Sequence, residues 1–256
     1  MKNLNLKNKL YITTVANDDY LVAEKYGFGL EIAEFCTAVN MDVNFSETDR
    51  IVRDKMKHAE RFIFHAPFNE LCPAAIDPLV VDITQRRYLQ AVNTARQYGI
   101  HKIVVHSGFT PLIYYKEWFT EKSILFWRKL LKQVPDDIIF CYENVMEDSP
   151  DMPFEIVSSV GDPRFGLCLD VGHATSVVSN VEAGEWIKKY GKLLNHLHLH
   201  SNDGGNDTHL ALGEGIIDFE RIFALTAEYA PTATMTIESI DAESSCRWLF
   251  EHGFLE

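Results

Sequence analysis

Residues 194–219 read LNHLHLHSNDGGNDTHLALGEGIIDF, and the first seven, LNHLHLH, decide how the rest of the chain is read. In an extended strand alternate side chains point to opposite faces, so His196, His198 and His200 share one side while Leu197 and Leu199 share the other. Such a strand is buried and has a polar inner face. Three imidazoles on that face are costly unless they are hydrogen-bonded or ligated. One of them alone would read as a satisfied core histidine; the cluster reads as a metal site. Seven residues past His200 comes a second acid and imidazole pair, Asp207 and His209, then Gly213-Glu214-Gly215 and Asp218, which has the position of a helix N-cap.

Outward from this stretch, short apolar runs alternate with longer amphipathic segments, the pattern of βα units on a parallel sheet. Eight strands are expected, at 10–16, 29–35, 61–65, 102–107, 138–144, 165–170, 194–200 and 233–238. Helical stretches lie between them at 19–26, 46–60, 78–98, 115–134, 152–160, 182–191, 219–229 and 241–252. Ser46 and Asp49 make a capping box, Gly27 and Gly99 stop helices, and Asp162-Pro163 marks a turn into the sixth strand. Val81, Tyr88, Val92 and Ala95 form the sheet-facing side of the 78–98 helix. Eight units imply a single α/β domain over 1–256, a closed (β/α)8 barrel. An open doubly wound sheet would carry a glycine-rich loop after its first strand, and VANDDYLVAEKYG has none.

Two loops exceed the rest, 67–78 and 108–115, and both follow the carboxyl ends of strands, where such a barrel keeps its substrate loops. Phe68, Phe109, Tyr114 and Tyr115 are placed to close over a small ligand.

The chain of 256 residues is 46% hydrophobic with a formal net charge of -13, a balance that disfavours a nucleic-acid partner and suits a pocket that gathers cations. No apolar run is long enough to span a membrane, and MKNLNLKNKLYITTVA has a basic start without the apolar centre of a signal peptide. A soluble cytoplasmic protein is expected. Five scattered cysteines without metal-ribbon spacing read as reduced packing residues.

Six of the eight predicted strands carry an acid or a histidine within two residues of their end: His65, His106, Glu143, Asp170, His198 and Glu238. In a parallel barrel these positions converge on one rim. Glu143, Asp170, His198 and Glu238 suit one divalent ion, with Mn, Mg, Co and Zn all compatible. His65 and His106 have the chemistry to hold a second ion that shares Glu143, and His173 to join Asp207 and His209 around a third, so one to three ions are expected. Phe68, Asn144, His200 and Glu214 lie beside this set and are expected to contact substrate.

These residues resemble the xylose isomerase-like TIM-barrel superfamily, which includes sugar isomerases, ketose 3-epimerases, inosose dehydratase-like proteins and the endonuclease IV type of abasic-site nuclease. The resemblance covers nearly the whole chain and rests on HAPF at 65–68, VVHSG at 104–108, ENV at 143–145, LDVGH at 169–173, HLHLHSNDGG at 196–205, DTHLALGEG at 207–215 and IES at 237–239. The epimerase-like members imply that Glu143, Asp170, His198 and Glu238 bind one divalent ion. They also imply that Glu143 and Glu238 form an acid/base pair working through a metal-stabilised enediolate on a sugar, sugar phosphate or polyol. The ketose epimerases carry a basic residue shortly after the strand-seven histidine, where this chain reads SNDGGNDTH.

The endonuclease IV-like members imply instead a multi-zinc phosphodiesterase. In that reading His65, His106 and Glu143 hold one zinc, Glu143, Asp170, His198 and Glu238 a second, and His173, Asp207 and His209 a third. A lyase of the inosose dehydratase kind and a barrel that binds sugar without turning it over are further alternatives. Homo-oligomers are common among such barrels.

Overall fold

The computed structural model describes residues 6–15, 19–176 and 178–256. Its strands are β1 (Leu10–Thr13), β2 (Gly29–Ile32), β3 (Phe62–His65), β4 (Lys102–His106), β5 (Ile139–Glu143), β6 (Phe165–Asp170), β7 (Leu194–Leu199) and β8 (Thr234–Ile237). All pair in parallel with their sequence neighbours, and β1 pairs with β8 to close the barrel, as the alternation predicts. The first two strands are three residues shorter than expected, with Ala16 outside the described residues.

Period-two alternation sorts the strand side chains into two layers. Leu30, Phe64, Val105, Phe140, Leu167, Leu197 and Met235 face outward and merge with the helices into one large core. Tyr11, Ile63, Val104, Cys141 and Cys168 form a separate small cluster inside the barrel. Polar side chains share the lumen with that cluster, Glu31 beside Ile63 and His196 beside Cys168, and the ionisable residues of the strand ends lie above it. The register of β6 on β7 shifts between Leu167 and Cys168, after which Asp170 lies beside His198.

The helices follow the predicted segments. They run over Asp19–Tyr26, Phe45–Lys55, Pro78–Gln97, Lys116–Leu131, Asp151–Val160, Ala183–Tyr190, Phe219–Tyr229 and Ala242–Glu251, with a short extra turn at Ala38–Met41. Asp218 caps its helix by accepting from Arg221 N at 3.0 Å, and Gly27 and Gly99, both at φ +70°, end theirs in the left-handed conformation. Tyr88, Val92 and Ala95 are buried and Val81 is half-buried.

One expected cap is wrong. The Phe45–Lys55 helix starts at Asn44 without a side-chain cap, so Ser46 and Asp49 make no capping box. Asp49 instead accepts from Tyr98 Oη at 2.7 Å and Arg53 Nε at 3.0 Å, one turn on, where two donors outcompete the backbone. Cys72, Cys141, Cys168 and Cys246 are buried. No helix among the described residues is long and apolar enough to cross a membrane.

Candidate metal centre

The polar upper lumen gathers the ionisable residues that the strand ends carry. His198 Nδ1 lies 3.2 Å from Glu143 Oε1, 3.5 Å from Glu238 Oε2 and 3.8 Å from Asp170 Oδ2, so groups from β5, β6, β7 and the residue after β8 meet at one point. Glu238 stands one residue past β8 and is held there by its N–H, which donates to Leu199 O at 3.0 Å. His65 Nε2 and His106 Nε2 approach the other oxygen of Glu143, Oε2, at 3.6 and 3.4 Å. His173 Nε2 and His209 Nε2 both face Asp207 Oδ2 at 3.3 Å.

Two ligands about 2.1 Å from a shared ion sit about 3.0 to 3.4 Å apart; the 3.2, 3.4 and the two 3.3 Å separations fall in that range, and those of 3.5, 3.6 and 3.8 Å lie beyond it. The orientation of the rings agrees. His65, His173 and His209 each use Nδ1 on a backbone carbonyl, of Ala66 at 3.0 Å, Asn144 at 3.0 Å and Glu238 at 2.9 Å. A carbonyl only accepts, so each Nδ1 carries the proton and each neutral ring turns the lone pair of Nε2 toward a carboxylate. Lone pairs facing carboxylates require a proton or a cation between them, and this outer-face bonding is the usual support of a metal-ligating histidine. Glu143 Oε2 and His198 Nδ1 are moreover buried without a hydrogen-bond partner. The residues therefore fit a divalent ion, and the grouping of His65, His106 and Glu143 forms one candidate set, Asp170, His173 and His200 another.

Without an ion the charges settle by mutual attraction. Burial opposes the charge on Glu143, but His106, His198 and His65 outweigh it and hold the carboxyl well below its usual range. Glu238 goes the other way: burial raises it, His198 opposes, and Glu31, Glu143 and Asp170 add to the rise. Asp170 is pushed down to about 2, burial being outweighed by His173 and His200. His198 is held well above the imidazole range, since Cys168, Glu238, Glu31 and Glu143 together overcome burial.

The four residues expected to contact substrate fall into different places. Phe68 lies over His106 with ring centroids 4.1 Å apart and planes 13° apart, at the edge of the centre. Asn144 is buried and clasps the end of β6, donating to Asp170 O at 3.1 Å and accepting from Asp170 N at 2.9 Å. His200 is fully buried, with Nε2 3.1 and 3.2 Å from the two oxygens of Asp170 and its ring stacked on His209 at 3.9 Å. It stands among the prospective ligands. Glu214 is exposed and its carboxylate accepts from Ala211 N at 3.3 Å, within its own loop. Of the loop aromatics, Phe109 is buried while Tyr115 is 85% exposed. A cavity of about 310 Å³ opens beside the centre between Thr13, Val15, His209, Glu238 and Ile240, at the small end of the range for ligand pockets.

Glu31 was not anticipated. It is fully buried in β2, with its carboxylate on His196, His198 and Thr236. The available signal was a lone acid between Leu30 and Ile32 in an apolar strand.

A profile of the xylose isomerase-like TIM barrel matches residues 22–252, most of the chain. The chain belongs to that family. An uncharacterized protein of Methanocaldococcus jannaschii is 26% identical over 192 residues, 72% of this chain and 66% of that protein, slightly under two thirds of its length. Among solved structures, a D-tagatose 3-epimerase-like protein superposes with a TM-score of 0.75 at 21% identity, covering 96% of each chain. A Thermus thermophilus protein soaked with ZnCl2 gives the same score at 22% identity, over 95% of this chain and 97% of that one. At such identities the superpositions speak for the barrel alone, and the family members share it with this chain.

Proposed function

We propose that this barrel is a divalent-metal-dependent isomerase or epimerase of a small sugar or polyol. The observation that carries the reading is the meeting of Glu143 and Glu238 at one point from well-separated strands, 3.2 and 3.5 Å from His198 Nδ1, which sets two carboxyls at one centre as the pair of groups a proton transfer needs. The likeness to a D-tagatose 3-epimerase-like protein and to a protein soaked with zinc supports the class of reaction and of cofactor.

In this reading Glu143, Asp170, Glu238 and His198 hold the ion, with His200 reaching the same carboxylate of Asp170 from the side of β6. A bound divalent ion supplies Lewis-acid polarisation of a substrate carbonyl and its neighbouring hydroxyl, which lowers the cost of removing a proton from carbon. Glu143 and Glu238 flank the substrate, one taking the carbon-bound proton and the other returning a proton from the opposite side. Phe68, stacked on His106, lies on one flank of the centre, and the apolar side chains Val15 and Ile240 line the cavity on the other. Nothing in this scheme requires a phosphorylated substrate.

The test is exchange of a substrate carbon-bound hydrogen with deuterated solvent. Glu238→Gln, which keeps the shape and removes the proton-transfer capacity, is expected to abolish it. Exchange at the normal rate in that variant would exclude Glu238 as the acid or base.

The clusters His65, His106, Glu143 and His173, Asp207, His209 favour a second reading, a multi-metal phosphodiesterase. It predicts that the protein binds an abasic-site duplex at low salt and that cleavage needs His65 and His209. Lys116, the basic residue near the rim loops, is paired with Asp148 at 2.5 Å, which leaves little to attract phosphate. No binding at low salt would remove this reading.

A further inference from the structure

Past the end of β5 the chain turns away from the barrel, and the residue that shapes this turn has no part in the proposed chemistry. Glu147 stands four residues beyond Glu143 and is 3% exposed. Its Oε2 accepts from Val145 N at 2.7 Å and from Met146 N at 3.1 Å, so the side chain doubles back over its own turn. Two successive backbone N–H groups aimed at one point make a concavity that suits a carboxylate oxygen. Burial pushes the Glu147 carboxyl up, and Ser107, fully buried next to His106, is foremost among the groups that oppose it. Ser107 N donates to Glu143 O at 3.0 Å, so the segments that leave β4 and β5 are tied together at this level.

The turn matters because of the residue that begins it. Asn144 is buried and clasps Asp170, donating to its carbonyl at 3.1 Å and accepting from its N–H at 2.9 Å. The carbonyl of Asn144 accepts from His173 Nδ1 at 3.0 Å, and Asp170 Oδ1 accepts from His173 N at 2.6 Å. One residue thus sets the backbone of Asp170 and the plane and tautomer of His173, which form a candidate ligand set with His200. Asn144 is fixed on its amino side by β5. On its carboxyl side the next two N–H groups are both held by Glu147. Without that carboxylate they must turn to solvent, since a backbone donor has to be satisfied somewhere, and the turn is released with them.

We infer that Glu147 is a positioning residue: by gathering the N–H groups of Val145 and Met146 it holds the turn after β5 in the shape that lets Asn144 aim Asp170 and His173 at a divalent cation. The inference rests on the metal-dependent reading given above. A hydrogen-bond partner directly behind a metal ligand is worth about 10- to 100-fold in affinity. Glu147 stands one bond further back but behind two ligands at once, so an effect of about tenfold is expected.

The experiment is a competition titration of the full chain with Zn²⁺ against a chromophoric chelator, with the visible spectrum of the Co²⁺-loaded protein and amide hydrogen exchange of the metal-free protein beside it. Glu147→Ala is expected to weaken Zn²⁺ binding about tenfold, to shift the cobalt bands, and to speed exchange at the Asp170 amide more than at Leu167 in the same strand. A merely structural role would speed both amides alike. Glu147→Gln keeps an oxygen for the two N–H groups and should retain affinity to within a few-fold. Glu147→Asp, one methylene short of them, should fall with Glu147→Ala and carries the test if that variant does not fold. Unaltered zinc affinity, cobalt bands and relative exchange in the folded Ala or Asp variant would overturn the positioning role. Glu147→Gln as impaired as Glu147→Ala would overturn it too, by making the charge and not the turn the cause. If the unaltered protein binds neither metal, the metal-dependent reading fails and the inference with it, an outcome distinct from a failure confined to the variants.

Discussion

Gly172→Ala tests the geometry of the centre at a single atom. Gly172 lies between Asp170 and His173 at φ -67° and ψ -47°, a conformation that alanine adopts freely, so the backbone gives no reason for glycine. The reason is His200. A Cβ at position 172 would lie 1.9 Å from His200 Cε1 and 2.4 Å from Nε2, where ordinary contact begins near 3.4 Å, so the ring has to retreat by about 1.5 Å. It has nowhere to go. It is fully buried, stacked on His209, and bonded to both oxygens of Asp170, and Asn202 Nδ2 pins the loop by donating to Gly172 O at 2.8 Å. Overpacking costs about 1–3 kcal/mol, and losing a hydrogen bond to a charged group about 1.5–3 kcal/mol. The stiffer unfolded chain returns at most about 1 kcal/mol. The net loss is about 2–5 kcal/mol, which for a chain of this size lowers Tm by roughly 10 °C. The same displacement carries Nε2 away from Asp170, so Zn²⁺ affinity should fall at least about tenfold if His200 is a ligand. His198, clamped by Glu31 from below, is not touched by the added methyl. Differential scanning calorimetry and a zinc titration read the two effects separately. A variant that melts and binds like the unaltered protein would refute the confinement of His200; one that is destabilised with full affinity would assign the ligand role to His198 alone.

Two further outcomes follow from the same centre. Asn144→Ala removes both bonds that fix the backbone of Asp170, in a fully buried place, and should cost about 2–4 kcal/mol in urea unfolding; unchanged stability would mean that the clasp is dispensable. The metal-free protein should lose stability as pH rises from about 7 to 10. His173 is raised to about 10 and His209 to about 9, because Asp170, Asp207 and their neighbours outweigh burial. A raised imidazole contributes stability that is fully present below its unfolded value of about 6.5 and lost as pH passes the folded value. Asp207, pushed well below its usual range by His173 and His209 against burial, contributes stability that is fully present above its unfolded value of about 4 and is lost progressively as pH falls below it, outside this window. With zinc loaded, the ion takes the place of those protons, and the alkaline loss should vanish. Melting curves from pH 6 to 10 with and without chelator decide it, and parallel curves would exclude these imidazoles as the protonated groups.

What was legible in the sequence was set by local period, and what was hidden lies across the lumen. Short apolar runs of five to seven residues set between amphipathic segments marked all eight strands, and the parallel closure that brings their ends to one rim follows from the eight-fold repeat. The meeting of Glu143, Asp170, His198 and Glu238 could be expected on that ground alone, since each stands at or next to a strand end. Spacing by two could not separate His198 from His200, because it turns both inward equally. The distinction comes from depth: His198 lies one layer lower, where Glu31 can reach it, while His200 sits just past the end of β7, against the Gly172 backbone and His209. The Glu31 contact joins positions 167 residues apart and depends on the shear of the barrel, which no short window contains. Glu214 shows the converse. Its motif places it in the right loop, but a side chain on a loop is aimed by the turn, and here Ala211 N draws the carboxylate back to its own backbone. Strand residues inherit their direction from the pleat, so a lone acid in an apolar strand such as Glu31 warrants as much suspicion of chemistry as a motif at the rim.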